Sequence, residues 1–280
     1  MKRHSLHRRG RTPLTLLATA TVAAALLATT VAPANAGGAS SSQSRKPTVV
    51  LVHGAFADAT SWNGVVKKLK RDGYPVVAAA NPLRGLGSDA AYIKELLASI
   101  DGPVVLAGHS YGGAVITNAA RGADNVKALV YIAAFMPDKG ESALDLAGKF
   151  RGSTLGDALH PVPITLPNGS QGQDFFIEQG KFHQQFAADV PKDTAELMAV
   201  TQRPVTGAAL GEPSSEPAWK TIPSWALVAT EDRNIPRRTQ NFMAERADSR
   251  TVEVRASHAV SVSRPDEVSR IIREAARSVR

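Results

Sequence analysis

Val104-Val105-Leu106-Ala107-Gly108-His109-Ser110-Tyr111-Gly112-Gly113 runs from an apolar, β-type segment into a Gly-His-Ser-Tyr-Gly turn. Ala114-Val115-Ile116-Thr117-Asn118-Ala119-Ala120 then reads as a helix. Strand, G-x-S-x-G turn and helix, in that order, make a nucleophile elbow. Such a turn is strained, and Gly108 and Gly112 leave room for it because glycine has no Cβ. The Ser110 hydroxyl is expected above the carboxyl end of a sheet. The Tyr111 N–H is expected at the start of the helix, where free amides and the helix dipole favour a negative oxygen.

Outward from the elbow, strands and helices alternate. Thr48–Val52 and Tyr74–Ala80 read as strands before it, with helices over Ser61–Arg71 and Ser88–Ile100. Ser88 is the expected cap of the second helix, and Ile93, Leu96, Leu97 and Ile100 its inward face. Beyond the elbow come strands Val126–Ala134, Ile222–Ala229 and Thr251–Val254. Pro236–Ala247 and Pro265–Val279 read as helices, each with proline near its first turn. Fully apolar β-branched runs such as Thr48–Val52 suit buried parallel strands. The pattern predicts an α/β fold, a mostly parallel sheet with helices on both faces.

Between 137 and 220 the alternation stops. This stretch is expected to be a helical cap inserted between core segments 47–136 and 221–280. Its helix-like pieces are Asp174–Ala187 and Lys192–Gln202. An insert at this point sits above the carboxyl edge of the sheet, where ligands bind in open α/β folds.

Serine at neutral pH needs a base and a group to orient it. His258, in the loop after Thr251–Val254, is the candidate base. Asp232, after Ile222–Ala229, is the candidate acid, with Glu231 and Asp138 as rivals that also follow a strand. The order Ser110, Asp232, His258 puts each residue after a core strand at one sheet edge. His53-Gly54-Ala55-Phe56 follows the first strand, and the N–H groups of Ala55 and Tyr111 are the candidate oxyanion hole. His53 and His109 are read as structural neighbours of the site. His160 and His183 lack the spacing of metal ligands, and no metal or organic cofactor is expected.

On these segments the chain resembles the α/β-hydrolase superfamily from Val49 onward. Within it, the chain is similar to small bacterial esterase-like proteins related to plant methylesterases and hydroxynitrile lyases. The likeness lies in Val50–Phe56, Asn81–Leu86, Gly108–Gly113, Thr230–Pro236 and Ser257–Val260. It implies a Ser110 nucleophile, an Asp232 acid, a His258 base and a helical cap, acting on a small-molecule carboxylic ester. Lyase or amidase chemistry in the same pocket is the alternative. A lyase of this group would set a cap lysine over the nitrile, for which Lys149, Lys181 and Lys192 are available. A hydrolase-fold binding protein with little turnover is the other alternative, and it would not need the full Ser-Asp-His set.

The chain's 280 residues suffice for one such domain, and the absence of cysteine excludes disulfides and thiolate chemistry. Residues 1–36 read as a signal peptide. Lys2, Arg3, Arg8, Arg9 and Arg11 precede an apolar stretch from Leu14 to Val31, and Ala34-Asn35-Ala36 fits a cleavage site. Secretion is expected, by the general or the twin-arginine route, with a Gly/Ser-rich spacer over 37–46. The net charge of +8 belongs mainly to that leader. Without it 28 basic residues face 25 acidic ones, a net +3, which argues against a nucleic-acid partner. No membrane association is expected after cleavage.

Overall fold

The computed structural model describes residues 46–166 and 169–279. The expected signal peptide (1–36) and nearly all of the spacer lie outside them. β1 (Thr48–Val52), a 3₁₀ turn (Ala59–Trp62), α1 (Asn63–Arg71), β2 (Val76–Ala79) and α2 (Leu86–Ala98) come first. β3 (Val104–His109), α3 (Tyr111–Ala119) and β4 (Val126–Ile132) form the centre. The chain closes with β8 (Ser224–Ala229), α8 (Arg237–Arg246), β9 (Arg250–Val254), α9 (Val260–Ser263) and α10 (Pro265–Ser278). These six strands pair in the order β2-β1-β3-β4-β8-β9, every pair parallel.

Side-chain alternation splits the core in two. Val49, Leu51, Val105, Ala107, Val130 and Leu227 face α1 and α10, where Trp62, Leu69, Val268 and Ile272 are fully buried. Val50, Val52, Leu106, Leu129 and Tyr131 face α2, α3 and α8. A period of two along strands covered on both faces yields the continuous apolar runs of the sequence.

The second helix begins one turn-half earlier than its sequence suggests, and Ser88 is not its cap. Leu86 opens α2, and the Ser88 hydroxyl donates back to the Gly85 carbonyl at 3.0 Å. The free amide of Gly87 is instead met by Glu212, 125 residues away, at 3.1 Å. A long-range carboxylate thus does the work assigned to a local hydroxyl.

Residues 137–220 hold α4 (Ala143–Gly148), β5 (Leu159–Thr165), β6 (Gln171–Ile177), α5 (Gln179–Phe186), α6 (Lys192–Thr201), β7 (Val205–Thr206) and α7 (Gly207–Gly211). The strands form an antiparallel sheet in the order β5-β6-β7. Asp174–Ile177 is therefore strand rather than helix, and the insert is mixed rather than purely helical. Pro161 and Pro163 hide β5 from a propensity reading, because proline cannot donate to a ladder. They are tolerated here since β5 is an edge strand.

Candidate active site

The elbow is backbone strain fixed by close packing. Ser110 lies at φ 53° and ψ −125°, a conformation that costs about 1–3 kcal/mol and is held only by its surroundings. A Cβ on Gly108 would stand 2.5 Å from the Gly112 carbonyl oxygen, and one on Gly112 would stand 2.5 Å from that of Val52. Gly54 and Gly113, which motif reading does not single out, are as tightly placed: a Cβ on Gly54 would meet Ser110 Cβ at 2.6 Å, and one on Gly113 would run into the Phe135 carbonyl. Gly112→Ala is expected to give little or no soluble protein at 37 °C, because its obstacle is backbone that cannot swing away. Soluble yield and melting temperature measure this, and a variant melting within about 2 °C of wild type would show that β1 can yield.

Ser110, Asp232 and His258 meet above the carboxyl edge of the sheet. His258 Nε2 is 2.8 Å from Ser110 Oγ, and His258 Nδ1 is 2.7 Å from Asp232 Oδ2. All three are buried. Asp232 is saturated: Oδ1 accepts the N–H groups of Asn234 (2.7 Å) and Ile235 (3.0 Å), while Oδ2 also accepts Gln240 Nε2 (2.9 Å). The rivals point elsewhere. Glu231 pairs with Arg255 at 2.6 Å, and Asp138 pairs with Lys220 at 2.8 Å on the surface.

Two further histidines frame the site. His53 Nδ1–H donates to the Gly54 carbonyl, its Nε2 accepts the Asn81 N–H, and Asn81 Nδ2 donates to the His53 carbonyl, each at 2.9 Å. This fastens the loop that carries Ala55. His109 Nε2–H donates to the His258 carbonyl at 2.8 Å, and the two rings lie 4.7 Å apart. Burial lowers the pKa of both, well below the ordinary value for His109, where His258 adds to the effect. A folded-state pKa below the unfolded one means that the neutral form stabilises the fold fully above about pH 6.5. That contribution is lost as pH falls below 6.5, where only the unfolded chain takes up the protons. Proton NMR is expected to place the titration of both rings below the ordinary value, with His109 the lower of the two, and titration of either at or above 6.5 would contradict its placement.

The Ala55 and Tyr111 N–H groups donate to no acceptor among the described residues, and both residues line a cavity of about 130 Å³ that contains Ser110 and His258. Phe56, Phe135 and Ile235 of the core line it too, with Leu144, Leu155 and Leu210 of the insert. Lys149, Lys181 and Lys192 are not in its wall. Lys149 stacks on Phe242, Lys181 meets Asp157 and Glu178, and Lys192 pairs with Glu196.

Helix α5 binds both loops of the site, a role with no local sequence signal. The Phe186 carbonyl accepts the Ala259 N–H at 2.9 Å, and the Phe186 ring stands edge-on to His258 at 4.9 Å. One residue earlier, Gln185 Nε2 donates to the Arg233 carbonyl (3.0 Å) and to Asn234 Oδ1 (2.7 Å). Just beyond the helix, Asp189 accepts the Ser257 hydroxyl at 2.5 Å. Among the described residues no group of three or more His, Cys, Asp or Glu is arranged to hold a metal.

Comparison with known proteins agrees with this architecture. The chain is 26% identical over 263 residues to the alpha/beta hydrolase nvfD of Aspergillus novofumigatus, covering 82% of this chain and 97% of that one. It is 26% identical over 223 residues to methylesterase 2 of Arabidopsis thaliana, covering 72% and 85%. The crystal structure of polyneuridine aldehyde esterase superposes with a TM-score of 0.71 at 22% identity, over 82% of this chain and 98% of the other, a likeness of fold. A family model described as alpha/beta hydrolase matches residues 49–271, and the chain belongs to that family.

Proposed function

We propose that the protein is an exported serine hydrolase that cleaves carboxylic esters through an acyl-enzyme. The observation that carries the reading is the continuous chain Ser110 Oγ, His258 Nε2, His258 Nδ1, Asp232 Oδ2, with no contact longer than 2.8 Å. His258 takes the Ser110 proton as Oγ attacks the ester carbonyl, and Asp232 holds the ring and stabilises its charged form. The Ala55 and Tyr111 N–H groups hold the developing oxyanion, assisted by the N-terminal end of α3. His258 then protonates the leaving alcohol and activates water to release the acid. The insert, 137–220, acts as the cap that keeps this step out of bulk solvent. The relatives named as esterases are consistent with an ester as substrate. Turnover of p-nitrophenyl acetate and longer acyl esters tests the reading, together with mass-spectrometric mapping of a phosphonate adduct to Ser110. Folded protein with neither turnover nor adduct would refute it.

Export rests on the leader sequence. Protein recovered from culture medium is expected to begin at or near Gly37, after Ala34-Asn35-Ala36. N-terminal sequencing that finds Met1 on a cell-bound product would remove the cleaved-leader reading.

A further inference from the structure

We propose that Leu144, at the mouth of the Ser110 cavity, is a specificity-determining contact, and that the ester accepted here carries an uncharged, apolar chain long enough to leave the cavity and lie against it. The inference deepens the reading of Ser110 as an ester-cleaving nucleophile and rests on it. Two properties coincide in Leu144: it lines the cavity that holds Ser110 and His258, and it is 62% exposed. A side chain that is in the wall and in solvent at once stands at the mouth. The core residues of the wall, among them Ala55, Phe56, Phe135 and Ile235, are buried and form the floor. Leu155, Leu159 and Leu210 of the insert are half-buried and complete an apolar rim.

The fold does not account for this leucine. Ala143 and Leu146 are buried and seat α4 in the core, and the Ser142–Asp145 capping box holds its first turn. Leu144 belongs to neither. Among the described residues four large apolar side chains are largely exposed (Tyr92, Leu144, Leu197 and Val200), and of these Leu144 alone lines this cavity. Exposed leucines scattered singly need no explanation, whereas four leucines around one mouth form a patch of the kind that marks a ligand groove. Size and charge give the ligand's chemistry. The cavity measures about 130 Å³, below the roughly 300–1,000 Å³ of pockets that enclose a drug-sized ligand. It holds the ester group and a short stub, so anything longer emerges over the rim. No Asp, Glu, Lys or Arg lines the cavity, so a charge on the enclosed part would lose its water with nothing in return. An alkyl chain leaves water at a gain, and Leu144 is the exposed surface it covers.

The test uses two substrate series, because the chain at the mouth can belong to the acid or to the alcohol. p-Nitrophenyl acetate, butanoate and octanoate vary the acid, and ethyl, butyl and octyl acetate vary the alcohol, all kept below the concentrations at which they aggregate. The kcat/KM of the longest ester relative to the shortest is measured in wild type, Leu144→Ala, Leu144→Asp and Leu197→Ala. Each protein's own short-ester rate is the reference, so a general loss of activity cancels. A methylene in a closed apolar pocket is worth about tenfold or more in discrimination, and at a rim open to water less. In at least one series the ratio is expected to fall about threefold in Leu144→Ala and about tenfold in Leu144→Asp. Leu197→Ala removes a comparably exposed leucine from α6, outside the cavity, and is expected to leave both ratios unchanged. A ratio that fails to fall in Leu144→Ala in either series, whatever Leu144→Asp does, overturns the assignment, and so does an equal fall in Leu197→Ala; both leave the esterase reading standing. If the Leu144 variants fail to fold, the wild type decides alone. Its kcat/KM is expected to rise from the four-carbon to the eight-carbon chain in one series, and a flat or falling profile in both overturns the assignment. Wild-type protein that cleaves none of these esters refutes the esterase reading, and the inference falls with it.

Discussion

Ser110→Ala is expected to lower kcat for p-nitrophenyl esters by about 10⁴–10⁶-fold while leaving the fold intact. The methyl group keeps the Cβ that the elbow already accommodates at φ 53°. Only the nucleophile goes, and nothing near it can substitute. The other hydroxyl-bearing residues of the cavity wall are committed, Ser153 to the Asn234 carbonyl and Tyr111 to Asp89, each at 2.9 Å. On the proposed mechanism Ser110 and His258 act as one unit, so His258→Ala and the double variant are expected to fall to similar residual rates, the remainder supplied by the proposed oxyanion hole and binding. Steady-state kinetics with a melting curve for each variant measure this. Retention of more than a few per cent of activity in Ser110→Ala would show that another group attacks.

Asp232→Asn is expected to cost roughly 10⁴-fold in kcat, as the equivalent change does in the serine-protease triad. The argument is local. Four donors converge on the carboxylate: two backbone N–H groups on Oδ1, and His258 with Gln240 on Oδ2. An asparagine has one oxygen to offer. The backbone donors cannot turn away, so that oxygen stays with them and the amide NH₂ faces His258. The ring must then present a bare Nδ1 and carry its proton on Nε2, toward Ser110, where a base is needed. Asp138→Asn and Glu231→Gln remove surface ion pairs and are expected to stay within tenfold of wild type, about 1.4 kcal/mol. If Asp138→Asn were the crippling change and Asp232→Asn the mild one, the acid would belong to the loop after β4.

The sheet was legible in the sequence because its strands are covered on both faces and read as unbroken apolar runs, Thr48–Val52 being the clearest. Ser110, Asp232 and His258 were legible for a related reason: each follows a core strand, and a parallel sheet brings such ends to one edge. What was hidden depends on distant partners. Glu212 reaches Gly87 across 125 residues, and the prolines of β5 mask a strand that only its pairing with β6 reveals. Asn168-Gly169, between two extended segments, was the available hairpin signal there.

Helix α5 touches the histidine loop through Phe186 and the acid loop through Gln185, so the alignment of His258 with Asp232 rests on a piece that contributes nothing to the parallel sheet. On the proposed reading, catalytic competence and global stability are therefore separable. Local opening that lifts α5 frees both loops at once, at a free energy that can be smaller than that of melting the core. A population of molecules can thus be fully folded by the criterion of its sheet and silent by the criterion of turnover. In a denaturant series, inactivation would then precede the loss of secondary structure, and the gap between the two midpoints would report how firmly the helix is seated.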